Sequence, residues 1–149
     1  MTALDDIAQR ALRDADAEQA RKKRFQRDYR KQFRVRRFAG PLVHQTQLDH
    51  LRIAHVTDIH VGRVTPFEAQ MEAVRLVNEG EPDAVVITGD FVCHSTLHLD
   101  QLEEIIAAYD APVFAVLGNH DHWSGADEVR RTLHKADAEV LDNVHTTIT

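Results

Sequence analysis

The sequence predicts an α/β domain built on a parallel sheet, preceded by a basic, helical arm. Three observations point there. From residue 51 onward, short apolar runs alternate with stretches of helical spacing, the pattern of strands joined by helical crossovers. Residues 1–40 carry 12 Lys/Arg against 6 Asp/Glu, whereas residues 41–149 carry 6 against 18, so a formal charge of -6 hides a +6 arm and a -12 domain. Gly40-Pro41 sits at that change of sign and is a natural break.

The arm comes first. Leu4, Ile7, Ala8, Ala11, Leu12 and Ala15 follow helical spacing. Phe25, Tyr29 and Phe33 recur at steps of four, which puts them on one helical face. Between Arg21 and Arg37 there are ten basic residues and one acid, Asp28. The plainest reading is an aromatic stripe packed on the domain with its charges solvated. A basic helix with such a stripe also suits an anionic membrane surface, through residues 21–37. Contact with nucleic-acid phosphates comes behind these, since nothing in the arm reads bases.

In the domain, residues 51–57 (LRIAHVT) read as a first strand, and a turn follows around Gly62 to Pro66. Phe67 to Asn78 places Met71, Val74, Leu76 and Val77 at helix-like spacing, and Gly80 and Pro82 end that helix. Residues 84–88 (AVVIT) are a near-continuous apolar run, the pattern of a strand buried on both faces. Leu99 to Tyr109 reads as a second helix, closed by Pro112. Residues 113–117 (VFAVL) give a third buried strand. Ala126 to Ala136 is helical through Val129 and Leu133, and Glu139 to Leu141 begins a short fourth strand.

Composition narrows the function classes. At 149 residues the chain has the length of one domain, and 43% hydrophobic with 28% charged residues is ordinary globular usage. No run approaches the roughly 20 apolar residues of a membrane span, and no early apolar stretch reads as a secretory signal. One cysteine, Cys93, excludes an internal disulfide and a four-cysteine zinc site. The expectation is a cytoplasmic protein, peripheral at the membrane if the arm binds there.

The polar residues fall where a parallel sheet puts its chemistry, beyond the carboxyl ends of the strands. The first strand runs into Asp58-Ile59-His60, the second into Gly89-Asp90, the third into Gly118-Asn119-His120-Asp121. Carboxylate, imidazole and amide oxygen together suit divalent ions such as Mn, Fe and Zn. A carboxylate from a central strand can bridge two of them, and a pair about 3.5–4 Å apart is the usual arrangement for phosphate hydrolysis. Taken singly, each cluster has an ordinary explanation as a turn or a cap. Three of them, each directly after an apolar strand, do not.

In that order, Asp58-x-His60, Gly89-Asp90 and Gly118-Asn119-His120-Asp121 resemble the first three motifs of the calcineurin-like metallophosphoesterases, over about residues 51–145. The resemblance implies a β-sandwich flanked by helices, of which this chain carries a βαβαβ half. It implies hydrolysis of phosphate mono- or diesters through two divalent metal ions. Asp58 and His60 would bind the first metal, Asp90 would bridge both, and Asn119 would bind the second. His120 would lie near the scissile phosphate, and Asp121 would orient His120. Metals in such a centre polarise phosphate oxygens and lower the pKa of bound water.

The resemblance also implies later histidine ligands, including a Gly-His-x-His motif. No Gly-His dipeptide occurs in the sequence. The expectation is therefore an N-terminal part of the domain over residues 41–149, weakly active or inactive by itself. A non-catalytic remnant of the same fold and a nuclease using the same centre are the rival readings. His134, inside the last predicted helix, and His145, without a motif, are not assigned as ligands. His55 is expected in the core or against a helix, and His94 and His98, after the Gly-Asp turn, read first as ordinary loop histidines, with lining the pocket as the lesser alternative. Trp123 either packs beside the substrate or covers the core. Cys93 is near the site without a pattern that marks a nucleophile.

Overall fold

The computed structural model describes residues 29–41 and 51–148. The chain divides into two compact units, Met1–Arg34 and Val35–Thr149. Most of the expected arm helix, with Phe25 on its stripe, lies outside the described residues. Of the remainder, Tyr29 and Arg30 are helical, 31–32 form a turn, and 33–41 have no regular secondary structure, so Phe33 is not on the helix. The segment from 33 to 41 has no helical apolar repeat and runs into Gly40-Pro41, which gives a helix neither a face to bury nor a continuation.

The second unit is a four-stranded parallel sheet with three helices. In chain order the elements are β1 (Ile53–Val56), α1 (Phe67–Asn78), β2 (Ala84–Thr88), α2 (Leu99–Ala107), β3 (Val113–Val116), α3 (Asn119–Lys135) and β4 (Glu139–Val140). The strands lie side by side in sequence order. Ala54 pairs with Val85, Val85 with Val113, Ile87 with Ala115, and Ala115 with Val140. The expected helix over 67–78 and strand over 84–88 have the observed bounds.

Right-handed crossovers that always advance in the same direction put every helix on one side of the sheet. The burial pattern fits this. Val85, Ile87, Val113 and Ala115 join one core with Val74 of α1, Leu102, Ile105 and Ile106 of α2, and Val129 and Leu133 of α3. Fully burying a side chain of this kind is worth about 1.5–3 kcal/mol.

Here the structure corrects the sequence reading. Among the described residues, β2 and β3 are covered on one face only. Ile53, His55, Thr88 and Val116 point the other way and are exposed, and Val86 and Phe114 are half-buried. Periodicity cannot separate a strand covered twice from one whose outward face is also apolar. His55 belongs to this open face, not to the core or a helix contact, and its Nε2 lies 2.7 Å from Thr88 Oγ1.

A second correction concerns α3. It begins at Asn119, well before the expected Ala126, and is broken at Gly125, whose φ of 149° is outside the helical region. The Gly118-Asn119-His120-Asp121 segment after β3 is thus a helix start. Its first N–H groups need acceptors, and Asp121 supplies one from the third helical position.

Tyr109 closes the α2 end of the core, and burial pushes its phenol up to about 12. A folded-state value above the unfolded one near 10 means that the neutral phenol favours the fold. That stability is present below pH 10 and drains away as the pH rises toward 12. Urea unfolding at pH 9 and pH 11 should show a larger loss for the parent protein than for Tyr109→Phe.

Candidate metal centre

The two loops after β1 and β2 are held together by continuing the strand ladder past the strands. The N–H of Asp58 donates to the Gly89 carbonyl, that of His60 to Asp90, and that of Val61 to Phe91, at 3.2, 2.9 and 2.8 Å. Alternation does the rest. Ile59 and Val61 are buried in the core, as are Phe91 and Val92. The intervening Asp58 and His60 are left for the crevice. Gln70 of α1 is buried and donates through Nε2 to the Ile59 carbonyl at 2.8 Å, which fixes this loop from the helix side. Thr57 Oγ1 lies 2.6 Å from Asp58 Oδ2 and 2.9 Å from the Thr88 carbonyl oxygen.

Asp58, His60 and Asp90 all have positive φ, at 55°, 48° and 56°. Backbone in this region costs a side-chain-bearing residue of order 1–3 kcal/mol and persists where its surroundings over-determine it. Three such residues, all with potential ligand side chains, mark the place where the fold spends stability on geometry. One ligand atom from each of them lies within 4.8 Å of the others. Asp58 Oδ1 is 3.7 Å from His60 Nε2.

Two glycines make that approach possible. A Cβ on Gly118 would sit 2.2 Å from Asp90 Oδ1 and 2.4 Å from the Asp90 backbone nitrogen. A Cβ on Gly89 would sit 2.6 Å from the Gly118 Cα. The φ of Gly118 is an ordinary -95°, so close approach alone demands glycine there.

His120 stands beside the cluster. Its backbone N–H donates to Asp90 Oδ1 at 3.1 Å. Its Nδ1 is 2.6 Å from the Cys93 carbonyl oxygen. A carbonyl only accepts, so Nδ1 carries the hydrogen and Nε2 keeps a lone pair. The ring is 5.1 Å from that of His60, 5.0 Å from His94 and 5.2 Å from Trp123, centre to centre.

Asp121 does not orient His120, contrary to the sequence expectation. It is fully buried, with Oδ2 accepting from the Gly118 N–H at 2.8 Å and Oδ1 from the Val92 N–H at 3.0 Å. Both oxygens are engaged by backbone of the second and third loops. The carbonyl of Cys93 holds the imidazole instead. A backbone group leaves no trace in residue type, so this contact was invisible in the sequence.

The other candidates sort clearly. Asn119 is exposed at the first position of α3, directly after the glycine that touches Asp90. His94 faces His120, whereas His98 precedes α2 and lies against Gly62. Trp123 is exposed beside His120 and does not cover the core. His134 and His145 are exposed. The Cys93 thiol is free, 3.0 Å from His94 Nδ1. A shallow concavity of about 340 Å³ between α2 and α3 is lined by Glu103, Glu128, Arg131 and Lys135 and includes none of the cluster residues.

The donor set fits a divalent ion. Asp58, His60 and Asp90 offer carboxylate and imidazole, the mixture that suits Mn, Fe or Zn. His60 Nδ1 is buried with no hydrogen-bond partner, an unmet polar group within the ligand cluster.

A parallel α/β sheet with such ligands after successive strands defines a domain of the metallophosphoesterase class. The calcineurin-like phosphoesterase family model matches residues 51–147, and the chain belongs to that family. Among curated proteins, it is 38% identical over 94 residues to an uncharacterized metallophosphoesterase of Aquifex aeolicus, covering 61% of this chain and 36% of that protein. It is 36% identical over 90 residues to the UDP-2,3-diacylglucosamine pyrophosphatase LpxG of Chlamydia trachomatis, covering 58% of this chain and 26% of that protein. It is 31% identical over 103 residues to the phosphodiesterase YaeI of Escherichia coli, covering 65% and 38%. The chain thus spans well under half the length of these relatives. No solved structure matches it significantly.

Gly118→Ala tests the close approach directly. The added methyl group displaces Asp90, and Mn²⁺ affinity measured by calorimetry on the whole protein should fall by at least about tenfold, or 1.4 kcal/mol. The helical circular dichroism should remain.

Proposed function

We propose that this chain carries ligands of a dinuclear metal centre that hydrolyses phosphate mono- or diesters. The observation that carries the reading is the convergence of Asp58, His60 and Asp90, with their ligand atoms within 4.8 Å, at the carboxyl ends of parallel strands. A divalent ion held there supplies Lewis acidity, drawing charge off phosphoryl oxygens and acidifying water at neutral pH. In this reading Asp58 and His60 would hold the first ion, Asp90 would serve both, and Asn119 would contribute to the second.

His120 has a separate task. Its Nδ1–H is committed to the Cys93 carbonyl, so Nε2 is the atom that meets substrate. Protonated, Nε2–H donates to a phosphoryl or leaving-group oxygen and stabilises the charge developing there. The carbonyl fixes the direction of the ring. Asp121 is a positioning residue that joins the loops carrying Asp90 and His120.

The favoured substrate class within this reading is a lipid-linked phosphate or pyrophosphate. Val64, Leu97 and Trp123 are 68%, 83% and 73% exposed. Trp123 stands against His120. Gly62, two residues before Val64, meets His98 next to Leu97, and Gly125, two residues after Trp123, meets Thr96. Three exposed apolar side chains therefore lie on neighbouring segments, with Trp123 beside His120, and would offer an acyl chain or membrane surface a landing place. The similarity to LpxG supports the same class. Among the described residues no helix is long and apolar enough to cross a membrane.

In the whole protein with Mn²⁺, Asp90→Asn should abolish hydrolysis of an aryl phosphate ester. His120→Ala should lower kcat by about 10²–10⁴-fold while Mn²⁺ stays bound. Unchanged turnover in both would overturn the assignment. Leu97→Asp with Trp123→Ala should raise KM for a lipid-linked pyrophosphate and leave KM for the soluble aryl ester unchanged; an equal change for both substrates contradicts the lipid reading.

A further inference from the structure

We propose that His60, Cys93 and His120 form a second, softer metal site that captures one thiophilic divalent ion, such as Zn²⁺ or Cd²⁺, in the same crevice. The Cys93 Sγ and one nitrogen from each imidazole lie within 4.8 Å of one another. A tetrahedral zinc ion with bonds of about 2.3 Å to sulfur and 2.0–2.1 Å to nitrogen brings its ligand atoms to roughly 3.5 Å separation. Side-chain rotation of the half-buried Cys93 covers that difference.

Two features prepare the ligands. The Cys93 carbonyl holds the Nδ1–H of His120 at 2.6 Å, which leaves the Nε2 lone pair free and fixes the ring, the usual outer support of a metal-bound histidine. The thiol is free, and its sulfur is 3.0 Å from His94 Nδ1. On binding, the S–H bond breaks, the sulfur–metal bond forms, and the proton leaves to bulk water.

The crevice then holds two ligand sets that share His60. Asp58, His60 and Asp90 form a set with two carboxylates that suits harder ions, whereas His60, Cys93 and His120 form a thiolate and imidazole set that suits softer ones. The identity of the ion decides which set is filled. An ion in the soft set takes up the Nε2 of His120 that the phosphoesterase reading assigns to substrate. That consequence, inhibition by soft metals, rests on the proposed function; the binding itself does not.

Titration of the whole protein with Cd²⁺, under a non-thiol reductant, tests the site. The readout is the sulfur-to-metal charge-transfer absorption in the ultraviolet. It should saturate at one ion per chain, vanish in Cys93→Ser and Cys93→Ala, and persist in Asp90→Asn. His60→Ala and His120→Ala should each weaken the apparent affinity by at least the roughly 10–100-fold that loss of a mere orienting partner costs. Absence of the band in the parent protein overturns the proposal. So does a band that both histidine variants leave unchanged, which would mean capture by the thiol alone. If the band behaves as expected but no phosphate ester is hydrolysed, the functional reading fails and the soft site stands.

Discussion

A carboxylate with no solvent contact ties the loop after β3 to the loop after β2. Asp121 is fully buried, yet its charge is answered on both oxygens by the N–H groups of Gly118 and Val92. It also lies in the first turn of α3, where the helix dipole favours a negative charge. Removing the carboxylate would strand the buried N–H of Val92, at about 1–3 kcal/mol, and leave the part-buried N–H of Gly118 without its acceptor. More than stability is at stake. The Gly118 N–H and the Val92 N–H belong to the segments that carry His120 and Asp90, so the same bond sets the spacing of the crevice.

Around that tie, the geometry follows from steric limits. The strand ladder continues from Asp58 to Val61 along Gly89 to Phe91, so the first two loops cannot move independently. Gly118 lets the third loop settle onto Asp90. Ile59, Val61, Phe91 and Val92 root the loops in the core, and Asp58, His60 and Asp90 are turned out by left-handed backbone. The stability of the helix-covered side thus supports strained ligands on its rim. The other side of the sheet, with Ile53, His55, Thr88 and Val116, has no described element over it.

Much of this was legible in the residues. The apolar runs at 84–88 and 113–117 located the strands because a buried strand must be continuous and β-branched. The helix at 67–78 followed from its spacing and its Gly80 and Pro82 stop. The candidate cluster was legible because carboxylate and imidazole directly after apolar strands have few structural uses in combination. Three features were not. The open face of β2 and β3 was read as covered, since an apolar side chain looks the same whether or not a layer packs on it. The start of α3 was read as a turn, because Asn-His-Asp lacks the apolar repeat that marks a helix. The task given to Asp121 was wrong, because a side chain's partner depends on which backbone groups the fold brings to it.

The sequence by itself determined the element order, the parallel α/β class and the family, and it singled out Asp58, His60, Asp90 and His120 as candidates for the chemistry. These depend on local pattern and on residue type, both of which are written along the chain. Tertiary structure alone decided that His120 leans on the Cys93 carbonyl, that Asp121 binds loops together, and that Cys93 brings a thiol to within reach of two imidazoles. Apart from the Gly118–Asp121 bond, which spans three positions, those contacts join residues 27 to 33 positions apart across the sheet. No local propensity encodes them; they arise only when parallel strands in register bring their carboxyl ends to one edge.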